Sequence, residues 1–301
     1  MTVLEVLATG PQSLVEDAGR PGLASSGVGR SGAADRRSHM LANRLVGNHE
    51  DTAAVEVLLG GFAFRVDPDA DRDVFVAVTG ADAEVTVETG ATRITVGRNA
   101  RIRVSPGSTV RLGNSTAGLR SYVAVRGGVD VPHVLGSRST DTLAGLGPDA
   151  LAPGDRLAVG HSRLPLPRTD FAPVPAVGGP TATLRVVRGP RDDWLTDPHA
   201  LVTTTWTVSE RTSRVGARLT AASGPGVAMA RRGRQLPSEG AGIGAIQVPP
   251  GGEPVVFLAD HPVTGGYPVA GVLVHDDIPR AAQLRPGTTV HLEWVREGTV
   301  Q

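Results

Sequence analysis

The densest group of chemistry-bearing side chains lies late in the chain. Val255-Val256-Phe257-Leu258-Ala259 has the composition of a buried strand, and it delivers Asp260 into the loop His261-Pro262-Val263-Thr264-Gly265-Gly266-Tyr267-Pro268. A carboxylate at a strand end can orient a donor or accept a proton. Gly265 and Gly266 let backbone N–H groups approach an anion closely, and Thr264 and Tyr267 add hydroxyls. A hairpin turn with a capping aspartate has the same pattern, so both readings stand. Arg211, Arg214 and Arg218 form a second group, suited to gripping a carboxylate or phosphate or to a charged strand edge.

Other motifs fail their own context tests. Gly27-Val28-Gly29-Arg30-Ser31-Gly32 matches G-x-G-x-x-G, but a dinucleotide loop needs a buried parallel strand directly before it. Gly22-Leu23-Ala24-Ser25-Ser26 does not read as one. Asp67, Asp69, Asp71 and Asp73 imitate the start of a calcium loop, yet Arg72 and Val78 stand where Gly and Glu are required. The eight histidines show no zinc spacing, so no metal site is expected. Arg231-Arg232-Gly233-Arg234 reads as a solvated basic loop.

Composition removes further chemistry. Among 301 residues there is no cysteine, and all 30 basic residues are arginine. A thiol nucleophile, a P-loop lysine, a Schiff-base lysine, a biotinyl-lysine and a Ser-Ser-Lys amidase centre are therefore all impossible on this chain. Net charge is zero and there are only ten aromatic residues, so neither a polyanion-binding face nor a base-stacking platform is expected. No apolar run is long enough for a membrane span and the first residues lack a basic leader, so the expectation is a soluble cytoplasmic chain.

These residues must be held by a β scaffold. Short alternating runs recur, among them Val3–Leu7, Val55–Val66, Val74–Val78, Glu84–Glu88, Arg101–Val104, Thr109–Leu112 and Ser121–Val125. The second half adds Thr183–Val187, Thr204–Val208, Ala245–Val248, Pro254–Ala259, Val269–Val274 and Thr288–Trp294. Ser105-Pro106-Gly107, Ala152-Pro153-Gly154 and Arg285-Pro286-Gly287 read as turns that start hairpins. Helices are expected at Ala34–Val46, with Met40, Leu41 and Leu45 on one face and Gly47-Asn48 ending it, and at Asp192–Leu201 and Ile278–Leu284. Between Arg163 and Pro180, prolines 165, 167, 173, 175 and 180 mark a linker. The reading is a mainly β protein of two β units, 1–170 (with the helix near 34–46) and 171–301.

A set of ordered segments then resembles a known family. They are Val15-Glu16-Asp17-Ala18-Gly19-Arg20-Pro21-Gly22, Ser31-Gly32-Ala33-Ala34-Asp35, Ala42 to Asn48, Glu56, Val125 to Pro132 and Gly136-Ser137-Arg138-Ser139-Thr140. The second half matches at Arg214 to Leu219, Ser238-Glu239-Gly240, Gly244 to Pro249, Asp260 to Pro268 and Ala282 to Gly287. Together they resemble the carboxyltransferase-type family that includes the C component of 5-oxoprolinase, the kinase-inhibitor antagonist protein and allophanate hydrolase subunit 2. Glu16, Ser213 and Pro262-Val263 depart from its usual Gln, Asp and Gln-Thr, which bears on ligand specificity.

The resemblance implies two cyclophilin-like β-barrel subdomains with a few short helices. It also implies a protein that works with companions of the B and A types of 5-oxoprolinase, in ATP-dependent cleavage of 5-oxoproline to glutamate. ATP would sit in a site shared with a companion, and no biotin attaches here. The alternatives are a biotin-dependent carboxyltransferase acting on urea or a related amide, and a non-catalytic partner of a kinase inhibitor. Under the first reading Asp260 and Gln247 orient the lactam as catalytic residues, Arg214 holds an anionic group, and Thr264, Gly265, Gly266 and Tyr267 bind substrate. No nucleic-acid or membrane partner is expected.

Overall fold

The computed structural model describes residues 2–175, 177–230 and 233–295, so Arg231 and Arg232 of the basic run lie outside the described residues. The chain forms two compact units: Met1–Arg20, Ser31–Asp141 and Gly145–Val177 in the first, and Pro21–Arg30, Thr142–Ala144 and Gly178–Gln301 in the second. The two short segments 21–30 and 142–144 therefore belong with residues far from them in sequence.

The first unit contains β1 (Val3–Thr9), β2 (Gln12–Glu16), α1 (Arg36–Leu45), β3 (Ala54–Leu58), β4 (Phe62–Val66), β5 (Val74–Asp82) and β6 (Val85–Thr89). It continues with β7 (Thr92–Val96), β8 (Arg101–Val104), β9 (Thr109–Leu112), β10 (Ala117–Val125) and β11 (Arg156–Ala158). They build a six-stranded sheet in the order β11-β1-β4-β9-β6-β7 and a five-stranded sheet in the order β2-β3-β10-β5-β8. Valines and phenylalanines from both sheets, including Val55, Val57, Phe62, Phe64, Val76, Val78, Val123 and Val125, enclose one core.

The run Val55–Val66 is not one strand. Leu59, Gly60 and Gly61 all take left-handed φ, between 58° and 84°, and carry the chain from the smaller sheet to the larger one. Gly60 is required there, because a Cβ would stand 2.1 Å from the Gly113 carbonyl oxygen. Gly107, Gly154 and Gly287 take the positive φ expected of their turns. None of these turns joins paired neighbours, however: β8 pairs with β5 while β9 pairs with β4 and β6. Turn chemistry is local, whereas strand pairing is decided by which face each strand must bury.

Helix α1 is shorter than its pattern at the start because Asp35 is its N-cap, accepting from Ser38 N at 3.0 Å. It ends as expected, with Asn48 N donating to Asn43 O and Gly47 at φ 70°. Its buried face carries Ser38, His39, Ala42, Asn43 and Leu45, while Met40 and Leu41 are half-buried. Small residues explain the fit: Ala54, Ala77 and Ala124 leave room for the helix on the outer face of the five-stranded sheet.

The second unit contains β12 (Thr181–Arg188), α2 (Ala200–Thr203), β13 (Trp206–Val208), β14 (Gly216–Ala221), β15 (Glu239–Gly240), β16 (Ala245–Gln247) and β17 (Val255–Phe257). β18 (Thr264–Gly265), β19 (Val269–Leu273), α3 (Ile278–Ala281) and β20 (Thr289–Trp294) complete it. Seven strands close into a barrel in the order β12-β19-β16-β17-β14-β13-β20, sealed by the parallel pair β12–β20. Leu184, Trp206, Leu219, Ile246, Val256 and Leu292 are fully buried. The expected helix Asp192–Leu201 is instead a short 3-10 turn, Asp192–Trp194, and the single turn α2. Leu195 is extended, and Pro198 disfavours helix at the residue before it.

The proline-rich stretch is anchored for much of its length. Arg126 donates to the carbonyl of Leu164, Arg101 to that of Pro167, and Arg101 N and Ala172 N bond to Asp170 O and Asn99 O. Proline removes donors but keeps carbonyls, and two arginines use them.

Candidate functional site

The β14–β17 ladder continues past both strand ends: Leu258 N bonds to Val215 O and Asp260 N to Arg214 O. That register places the Arg214 and Asp260 side chains together. Arg214 Nε donates to Asp260 Oδ2 at 2.9 Å and Nη2 to Oδ1 at 3.0 Å, with both side chains buried. Oδ2 also accepts from Thr142 N at 3.0 Å and Thr142 Oγ1 at 2.6 Å. The anionic group held by Arg214 is thus Asp260. A carboxylate accepting these bonds is a positioning group, and what it positions is the 260–268 loop and segment 142–144.

Gln247 ends β16 beside a bulge, opposite Val269, and bulges re-aim side chains. Its Nε2 donates to Tyr267 O at 3.1 Å. Gly265 lies directly against it, since a Cβ on Gly265 would stand 2.4 Å from Gln247 Nε2. Thr264 and Gly265 are held by pairing with Gly240 and Glu239. Arg191 in turn clasps the Glu239 carboxylate through Nε and Nη2. Gln247, Thr264, Gly265 and Tyr267 are therefore brought together, with Gly266 between them in the loop and the Tyr267 side chain open to solvent. His261 stacks on Phe257 at 5.8 Å and its Nδ1 donates to Pro262 O at 2.8 Å.

In the first unit the family-like segments meet around two carboxylates. Asp17 Oδ1 accepts from Gly19 N, Ser137 Oγ and Ser139 Oγ at 2.6–2.7 Å, and Oδ2 from Arg138 N at 2.6 Å. Burial alone would raise this carboxyl; the two serine hydroxyls and the two N–H groups outweigh it and hold Asp17 below its ordinary value. Glu56 Oε2 accepts from Tyr122 Oη at 2.7 Å and Ala34 N at 2.9 Å, and Tyr122 Oη accepts from Asp35 N. Arg120 pairs with Glu56 in the same buried cluster. This network fixes the start of α1.

Departures from the family pattern fall in structured places. Glu16 ends β2 and is fully buried, and its carbonyl accepts from His39 Nε2. Ser213 Oγ accepts from Val215 N at the approach to β14. Pro262 and Val263 offer carbonyls to His261 and to Ala241 N.

Cofactor-like motifs do not fit cofactors. The strand before the glycine-rich loop, β2, is antiparallel, and residues 24–26 form a 3-10 turn. The N-terminus of α1 is already capped by Asp35. No cradle for a triphosphate or pyrophosphate of the P-loop or dinucleotide kind exists there. Asp67 and Asp73 pair with Arg156 and Arg103, and no cluster able to hold a metal is present among the described residues.

The carboxyltransferase domain family, subdomain A and B, matches residues 26–294. The chain belongs to that family. It is 32% identical to the C subunit of 5-oxoprolinase from Escherichia coli over 295 residues, which cover 96% of this chain and 90% of that protein. It is 31% identical to urea amidolyase of Lachancea kluyveri, where the match spans 95% of this chain and 16% of the relative. Among solved structures, TTHA0988 superposes with a TM-score of 0.85 at 31% identity over 97% of this chain. The K. lactis urea amidolyase superposes at 0.87 and 29% identity over 98% of it. This carboxyltransferase-family chain spans 55% of the TTHA0988 chain and 19% of the amidolyase chain.

Three features of this family member escaped the sequence reading. The Asp17–Ser137–Ser139 lock, the Glu56–Tyr122 network and the Arg191–Glu239 clasp join residues 48 to 122 positions apart. The segments carrying the first two stand out as motifs. Arg191, following Gly189-Pro190, gives no sign of its role.

Proposed function

We propose that this chain is the C-type component of an ATP-dependent 5-oxoprolinase, contributing recognition of the lactam while a companion supplies the nucleotide site. The observation that carries this reading is the near full-length match to the C subunit of 5-oxoprolinase, 96% of one chain against 90% of the other. Opening the lactam breaks its C–N bond, with water adding at the carbonyl carbon and a proton passing to nitrogen. Within the chain, the Gln247 carboxamide and the backbone N–H groups at Gly265 and Gly266 are the groups suited to orienting an amide. Thr264 and Tyr267 add hydroxyls, and the Arg214–Asp260 pair keeps the loop in place. The lack of lysine and of a triphosphate cradle supports placing nucleotide activation on the companion.

Mixing tests the reading. The purified chain alone is expected to show negligible 5-oxoproline-dependent ATP hydrolysis, and substantial hydrolysis once B-type and A-type companions are added. Full turnover by the isolated chain, or none in the complete mixture, overturns it.

Carboxyl transfer to urea or a related amide is the second reading, favoured by the superposition on K. lactis urea carboxylase at a TM-score of 0.86. It requires a separate biotinylated protein and bicarbonate. Activity that persists with avidin present and bicarbonate absent removes it.

A further inference from the structure

Opening a lactam with water needs a proton acceptor, and the carboxylates around the 260–268 loop are already engaged. Asp260 accepts from Arg214 and Thr142, and Glu239 is clasped by Arg191. His261 differs from both. Its Nδ1 lies 2.8 Å from Pro262 O. A carbonyl oxygen has no proton to give, so Nδ1 carries the hydrogen, and in the neutral ring Nε2 is left with the lone pair. No hydrogen bond among the described residues engages Nε2, and the residue is only half-buried.

The ring is held on a firm mount. It stacks on Phe257 with centroids 5.8 Å apart and planes 15° from parallel, and His261 N donates to Leu258 O. The fixed φ of Pro262 restricts the residue whose carbonyl sets the tautomer. This mount shares a barrel face with Gln247. β16 and β17 pair Ile246 with Val256 and Gln247 with Val255. Ile246 and Val256 are fully buried in the barrel, and side chains alternate along a strand, so Gln247, Val255 and Phe257 lie on the other face. Ala245, Val255, Phe257 and Val269 form a cluster of their own there. Diagonal neighbours on one face of an antiparallel pair stand about 7–8 Å apart. Gln247 and Phe257 are such neighbours, and Gly265 lies against the Gln247 carboxamide.

We propose that His261 is the proton-transfer residue of this site, with Nε2 acting as general base in lactam opening. This role rests on the lactam reading. Nε2 accepts a proton from the attacking water as the water oxygen bonds to the carbonyl carbon. The C–N bond then breaks, its electron pair passes to nitrogen, and Nε2 returns the proton to that nitrogen. One water and one lactam are consumed, and the imidazole ends neutral. Between the two transfers the Nδ1–H bond to the Pro262 carbonyl supports the imidazolium and keeps the ring in register, the part a third group plays for other catalytic bases.

The test uses the complete mixture with B-type and A-type companions and 5-oxoproline as substrate. His261→Phe keeps the stack on Phe257 but has no basic atom. It is expected to lower kcat at least about 100-fold, the lower end of what general acid–base catalysis contributes, and to leave KM nearly unchanged. His261→Ala is expected to be equally impaired and to regain kcat when imidazole is added, which a packing role would not produce. Nitrogen NMR of the purified wild-type chain adds a readout that needs neither turnover nor a folded variant. The neutral His261 ring is expected as the Nδ1–H form, with an unprotonated Nε2 whose signal 5-oxoproline shifts. An Nε2–H form, wild-type kcat in His261→Phe, or no imidazole rescue overturns the role of His261 while the wild-type mixture still turns over. No turnover by the wild-type mixture overturns the lactam reading itself, and this role with it.

Discussion

Gly265 lies so close to Gln247 that a methyl group on its α-carbon would stand 2.4 Å from Nε2. The obstacle is the end of a flexible side chain, not backbone, so the carboxamide can turn away. Gly265→Ala is therefore expected to fold with a stability loss under about 1 kcal/mol. Turnover in the reconstituted mixture should fall at least about tenfold, because misplacing an orienting group by an ångström carries a penalty of that order. Urea denaturation and the coupled ATPase assay measure the two effects, and unchanged turnover would remove Gln247 from the substrate site.

Asp260 and Arg214 should behave as a buried pair. Asp260→Ala removes the carboxylate that the guanidinium grips through Nε and Nη2, and removing one partner of a buried pair costs about 3–5 kcal/mol. The double variant Asp260→Leu/Arg214→Met should be destabilised less than Asp260→Ala alone. Denaturation midpoints of the single and double variants decide it; additive losses would show that the charges act independently.

Tyr122 anchors the start of α1 through Glu56 and Asp35 N. Tyr122→Phe is expected to lose about 1–3 kcal/mol by leaving buried polar groups unpaired. Burial, with the Glu56 and Asp35 charges beside it, also pushes this phenol well above its ordinary value. The change in phenolate absorbance between pH 9 and 11 should accordingly be the same in wild type and Tyr122→Phe.

Stability should fall on acidification in two windows. Burial pushes the His39 imidazole down, opposed only in part by the Glu16 carbonyl and the Asp17 and Glu56 charges. A group held below its unfolded value contributes stability that is complete above that value and is lost as pH falls. For His39 the loss begins below about pH 6.5, and for Asp17, held low by its serine and N–H donors, below about pH 4. Denaturation midpoints from pH 7.5 to 3 measure both, and His39→Gln should flatten the upper window only.

The sequence by itself determined the local matters: the β character, the three Pro-Gly turns, the cap at the end of α1 and the chemistry that lacking lysine and cysteine excludes. Each depends on a few adjacent residues. Only the tertiary structure decided pairing and partners. The run 55–66 looked continuous because three left-handed residues at its centre leave its alternation intact on either side. Met40 and Leu41 looked like the helix's buried face, but both are only half-buried, and the polar His39 and Asn43 lie on the buried face with Ala42 and Leu45 because each finds a main-chain carbonyl there, Glu16 O and Thr52 O. Asp260 was readable as a carboxylate at a strand end, whereas Gln247 entered only through the family resemblance. That Arg214 and Thr142 would engage the Asp260 carboxylate, leaving Gln247 beside Gly265, depended on a ladder continued past two strands and on a segment 118 residues away. Hydrogen bonds of that span follow from which surfaces the barrel buries, and no local pattern encodes them.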